Sequence, residues 1–168
     1  MTTMAAYAGE ACRLYVIVAL AAAVAGKSVA MDDFRDTLLD LPMVSMRNSG
    51  AAALAVIGVE AAILGAVVAA PRAGMAAALA AFALMWTAIL VALVTRRALM
   101  CNCFGGRARP VSRLDLVRNL ALIGACAGFL RSPPLDAPGL TGWLLLLGVA
   151  CIVFLVSTHL DEIAAPAR

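Results

Sequence analysis

The sequence predicts an all-α integral membrane protein, a four- to five-helix transmembrane bundle with a short amphipathic helix after the first span. Three observations carry that expectation. Hydrophobic residues make up 64% of the chain and charged residues 14%, with a mean hydropathy of +0.99, far outside the balance of soluble domains. The apolar residues fall in long continuous runs without the period-two alternation of membrane-crossing strands. Aromatic residues are scarce, at 5%, while alanine recurs throughout, a composition that lets helices approach closely in lipid. The net charge of +3 is too small and too locally placed to suggest a nucleic-acid surface. No hydrophilic stretch is long enough for a separate soluble domain, so residues 1–168 read as a single membrane domain.

The first span is expected over about 8–26. Its uninterrupted apolar part, Leu14–Gly26, is shorter than the roughly 20 residues a span needs, and extending it backwards takes in Glu10 and Arg13. Those two stand three residues apart and can pair on one helix face. Ser28-Val29-Ala30 resembles a signal-peptide cleavage site, but only one basic residue precedes the apolar core and Glu10 sits beside it. A retained helix is the expectation. Over 31–41, Met31, Phe34, Leu38 and Leu41 recur at helical spacing while Asp32, Asp33, Asp36 and Asp40 fill the other faces, and Pro42 stops the pattern. The acidity argues against docking on anionic headgroups. Two readings stay open for this helix, an acidic lid over the arginine-rich loop described below and a solvated connector.

The spans at 50–70 and 75–95 are long enough to cross a bilayer and are joined by Pro71-Arg72-Ala73-Gly74, read as a tight turn. The fourth, 112–130, carries Asp115, Arg118 and Asn119 near its start and ends at Arg131-Ser132-Pro133-Pro134. The fifth covers about 140–160. Arg118 and Asn119 can anchor the preceding loop through backbone carbonyls or snorkel to the headgroups.

Orientation follows from basic residues. One face holds Arg13, Arg72 and Arg131; the other holds Lys27, Arg35, Arg47, Arg96, Arg97, Arg107, Arg109, Arg113, Arg118 and Arg168. The positive-inside rule therefore places the loop at 96–111 in the cytoplasm.

That loop contains Cys101-Asn102-Cys103-Phe104-Gly105-Gly106, the one close pair among five cysteines. Arginines on both sides favour the thiolate, the form that acts as nucleophile and metal ligand. In an extended chain the two Cβ atoms of a Cys-x-Cys pair lie further apart than the roughly 3.5–4.5 Å a disulfide requires. Asn102, Gly105 and Gly106 tolerate the bend that would close the gap, and a strained bridge of that kind is oxidising and labile. The pair thus reads as a redox pair. The alternative is a membrane carrier or sensor for Cu(I) or Zn, since Met100, Cys101 and Cys103 are soft ligands, although two thiolates and a thioether are an incomplete zinc set.

Glu60 falls midway along its span, where a carboxylate is costly and faces the bundle interior or a wet cavity. Lys27 or Arg13 is the cation that could offset it. Its candidate roles are proton acceptor for thiol chemistry, hydrogen-bond partner of a quinone head group, and interhelical clamp. Trp86, mid-span, is a candidate flank for a quinone or a plain core contact. Cys126 and Cys151 read as small packing hydrophobes, Cys12 falls near the membrane face opposite Cys101, and His159 reads as interfacial. No nucleotide loop, Ser-His-Asp order or HExxH helix is present.

Ala25-Gly26-Lys27 closing the first helix, Phe34 in the amphipathic turn, Glu60, Cys101-Asn102-Cys103-Phe104-Gly105 and Arg118-Asn119 occur in an order that resembles the MauE family, named for methylamine utilisation and related to DoxX-like proteins. The Cys-x-Cys-Phe-Gly element after the third span is the specific part. The resemblance implies a thiol–disulfide redox protein of the bacterial inner membrane. Cys101 and Cys103 would be the exchanging pair, with Glu60 and Lys27 as further site residues. It also implies a thioredoxin-like partner, a role in maturing the disulfide-rich, periplasmic methylamine dehydrogenase, and a periplasmic cysteine loop. That last implication opposes the charge count.

Overall fold

The computed structural model describes residues 2–39, 44–95, 100–101, 109–135 and 139–158. Helix α1 spans Thr2–Val29, α2 Met31–Leu39, α3 Ser49–Ala69, α4 Pro71–Val94, α5 Arg113–Arg131 and α6 Leu140–Thr158. Between α4 and α5, the short strands β1 (Met100–Cys101) and β2 (Arg109–Pro110) pair antiparallel, Met100 opposite Pro110 and Cys101 opposite Arg109. This ladder was not anticipated, because strand signals are weak over so few residues. It leaves the architecture an all-α membrane bundle.

Among the described residues, four helices, α1, α3, α4 and α6, are long and apolar enough to cross a bilayer. α5 has 19 residues, about 28 Å of helix, but carries Asp115, Arg118 and Asn119, all buried. It packs chiefly against α4 and α1, so its polar first half turns inward to the bundle instead of outward to lipid.

α1 runs beyond the expected 8–26 at both ends. The Arg13 Nε donates to Glu10 Oε1 at 2.8 Å, which neutralises the two charges that shortened the expected span. At the other end the backbone continues into α2 through helical bonds, Ala30 N–H to Gly26 O and Phe34 N–H to Ala30 O, both 3.0 Å. α4 starts at Pro71, four residues earlier than expected. Proline is suited to the first helical position, where its fixed φ fits and its missing N–H is not needed. The turn from α3 therefore contracts to Ala70.

α1 lies at the centre and touches α3, α5 and α6. Tyr15, Val16, Ala19 and Leu20 of α1 meet Val67 of α3, Met75 and Ala78 of α4, Leu122, Ala125 and Cys126 of α5 and Ala150 of α6. Alanines at these contacts allow close helix approach. Outward, α6 presents Leu144, Leu145, Ile152 and Leu155, a surface suited to hydrocarbon. α2 buries Phe34 and Leu38 against Ala53, with Val56 and Ile57 alongside, while Asp32, Asp33 and Asp36 stay exposed. Its apolar face therefore serves α3.

The closest approach of a glycine to another helix's backbone is at Gly74, where an added Cβ would collide with Val67. Gly74→Ala should force α3 and α4 apart and destabilise the bundle by about 1–3 kcal/mol, the usual range for overpacking. Thermal unfolding in detergent reads this directly. An unchanged midpoint would mean that the contact relaxes freely.

Candidate functional site

Four helices converge on one buried polar cluster near the membrane face that carries the β1–β2 ladder. Lys27, in the last turn of α1, is 3% exposed, and its Nζ donates to Glu60 Oε1 on α3. The same ammonium stands 5.4 Å from the centroid of the Phe34 ring on α2, within cation–π range. Glu60 and Lys27 are 33 residues apart in sequence, so the pair is a product of packing. Of the two cations considered for Glu60, Lys27 is the partner. Arg13 is held by Glu10 and by the Val67 carbonyl, to which its Nη1 donates at 3.5 Å. Glu60 Oε2 is buried with no protein hydrogen-bond partner among the described residues.

α5 supplies the other half of the cluster. Its start is a capping box, with the Ser112 N–H and Oγ donating to Asp115 Oδ2 at 2.8 and 3.1 Å. Asp115 is fully buried, and its Oδ1 accepts from Arg118 Nη2 at 2.8 Å. The Asn119 amide donates to the Asp115 carbonyl at 2.9 Å. Among the contacts described, Arg118 and Asn119 thus bond within their own helix, and both are buried, so neither snorkels. Sequence reasoning undervalued Asp115. The available signals were the Ser-x-x-Asp spacing before an apolar run and the Asp–Arg spacing of three.

Lys27, Glu60, Arg118 and Asn119 line a single cavity of about 80 Å³, with Phe82 and Met85 of α4 completing its wall. That volume suits a few water molecules at about 30 Å³ each. It falls well below the about 300–1,000 Å³ of small-molecule sites, so it does not fit a quinone ring. Trp86 is half-buried on α4 and is not among the residues lining this cavity. A carboxylate oxygen without a protein partner beside a water-sized space has the chemistry to accept or relay a proton.

Cys101 is fixed through its backbone by pairing with Arg109, and β2 leads within two residues to the Ser112–Asp115 cap. Cys103 lies outside the described residues, as does His159. Cys12, Cys126 and Cys151 are free thiols, Cys126 buried in the central core with Cys12 packed against that core.

An all-α bundle of long apolar helices with an internal lysine–glutamate pair defines an integral membrane protein that carries a polar cluster among its helices. The model of the family described as methylamine utilisation protein MauE matches residues 5–132, about three quarters of the chain, and the chain belongs to that family. Lys27, Glu60, Cys101 and Cys103 fall inside the matched range, and α6 falls beyond it. No curated protein and no solved structure matches the chain significantly.

Proposed function

We propose that this MauE-family membrane protein is a thiol–disulfide oxidoreductase in which Cys101 and Cys103 exchange a disulfide with a thioredoxin-like protein. The observation that carries the reading is the placement of the buried Lys27–Glu60 pair, with its water-sized cavity, at the end of the bundle from which the Cys101-bearing ladder projects. Thiol exchange consumes and releases protons, and this arrangement supports a group able to handle them next to the reacting loop.

In one direction, a thiolate of the pair attacks the partner's disulfide, forming a mixed disulfide and releasing one partner thiolate. The second cysteine, losing its proton, then attacks the mixed disulfide. The pair leaves as a disulfide, the partner as a dithiol, and two electrons have moved to the partner. The reverse sequence of bonds oxidises the partner. Arg96, Arg97, Arg107 and Arg109, which flank the pair in sequence, favour the thiolate form of the attacking sulfur. Glu60 accepts or returns the proton through cavity water, and Lys27 orients its carboxylate by the hydrogen bond to Oε1.

The reading places the hairpin on the periplasmic face of a bacterial inner membrane, the side on which disulfides persist. Four of the basic residues that favoured a cytoplasmic loop, Arg96, Arg97, Arg107 and Arg109, flank the cysteines in sequence, where they serve the thiolate. The family's link to methylamine utilisation supports maturation of a disulfide-rich methylamine dehydrogenase as the physiological setting.

Membrane-impermeant maleimide applied to intact cells, before and after reduction, tests both state and side. Labelling of Cys101 and Cys103 only after reduction, together with a Cys101–Cys103 link in acid-trapped protein by mass spectrometry, is expected. Two free thiols under every redox buffer, with stoichiometric copper or zinc, would replace this reading by metal carriage.

A further inference from the structure

A second and larger cavity, of about 610 Å³, opens at the membrane face opposite the cysteine hairpin, and we infer that it binds the phosphodiester head of an anionic amphiphile. Its volume lies inside the about 300–1,000 Å³ typical of small-molecule sites. The walls come from the ends of four helices, α1, α4, α5 and α6, at the level where headgroups meet hydrocarbon. Two contacts make them rigid. A Cβ at Gly9 would collide with the Ser132 side chain, and one at Gly74 with the Val67 backbone, so α1 is seated on the end of α5 and α4 on α3.

The lining charges decide the ligand. Glu10, 9% exposed, is engaged by Arg13 Nε at 2.8 Å, and Arg13 reaches the Val67 carbonyl as well. This pair is held in place and balanced. Arg72, in the first turn of α4, is exposed at the cavity and makes no ion pair among the described residues. Among the described lining residues, one carboxylate and two guanidiniums leave a single positive charge. A monoanionic head neutralises it, whereas a neutral quinone would not, and guanidinium groups are suited to phosphate oxygens. Phe129 and Trp143 supply apolar walls, and the exposed Leu140 and Leu144 on α6 offer a path for an acyl chain leaving the site. The cavity stands apart from the redox chemistry by about the 28 Å length of α5, so its occupancy is independent of the function proposed above.

The test is native mass spectrometry of the full chain extracted into mild detergent supplemented with equal phosphatidylcholine and phosphatidylglycerol. One phosphatidylglycerol per chain should be retained, and Arg72→Gln should lower that retention at least fivefold. Arg131→Gln is the control, an exposed arginine on the same face that does not line the cavity. Deacylated glycerophosphoglycerol is the probe for source. Failure of millimolar probe to displace the lipid identifies a membrane amphiphile, and displacement identifies a soluble phosphodiester bound by the same charges. Equal loss in both arginine variants, equal retention of phosphatidylcholine, or no retained lipid would overturn the inference. Arg72 is solvent-exposed, so its substitution leaves the fold intact, which a thermal melt of the variant confirms.

Discussion

One of the two variants Cys101→Ser and Cys103→Ser is expected to accumulate a covalent complex with a thioredoxin-fold protein that the wild-type chain does not accumulate. Exchange passes through a mixed disulfide whose lifetime is set by the resolving thiol. Removing the resolver extends that lifetime from transient to stable, whereas removing the attacking cysteine prevents the bond from forming. The variant that traps therefore identifies the attacker as the cysteine it retains. The arginine-rich loop raises the encounter rate with a partner bearing an acidic rim, and salt screens that attraction. A reducible higher-mass band on non-reducing gels should weaken as ionic strength rises. If neither variant traps any protein, exchange with a protein partner is not the function.

Glu60→Gln should be damaging in two separable ways. Lys27 is 3% exposed and Glu60 is its partner, so the substitution leaves a buried ammonium without its counter-charge. Breaking a buried pair from one side costs about 3–5 kcal/mol, and the glutamine oxygen that still accepts a hydrogen bond places the loss toward the lower end. The second effect is on rate. Glutamine cannot accept a proton, and loss of a positioned acid–base group slows its step about 10²-fold or more. The double variant Lys27→Met/Glu60→Gln removes both charges and should recover most of the stability while cysteine reoxidation stays slow. Recovery of the rate along with the stability would reduce Glu60 to an interhelical clamp.

Much of the site could be anticipated residue by residue, and the failures have specific causes. A carboxylate in the middle of an apolar run announced that Glu60 needed a cation, because hydrocarbon penalises an isolated charge whatever the fold. Which cation it would be could not be read. Lys27 and Arg13 stood equally available in sequence, and only the contact of Arg13 with Glu10 and Val67 leaves Lys27 for Glu60. Asp115 was undervalued because its value depends on being fully buried, a property that a charged residue near a span's end does not advertise. Trp86 has the type and depth of a ligand flank, but the α4 residues that line the cavity are Ala81, Phe82 and Met85.

The membrane class, the order of the apolar helices, the short amphipathic α2 with Phe34 and Leu38 on its buried face, and the isolation of one close cysteine pair were all legible in the amino-acid sequence. These depend on run length, spacing and composition, which act over a few helical turns and need no knowledge of neighbours. Tertiary structure alone decided that α5 turns its charged half inward, that α1 and α3 meet through Lys27 and Glu60, and that one cavity is water-sized while the other is large enough for a ligand. Helix rotation and crossing set those outcomes. They are fixed by close contacts such as Gly9 against Ser132, between residues more than 120 positions apart that no local pattern brings together.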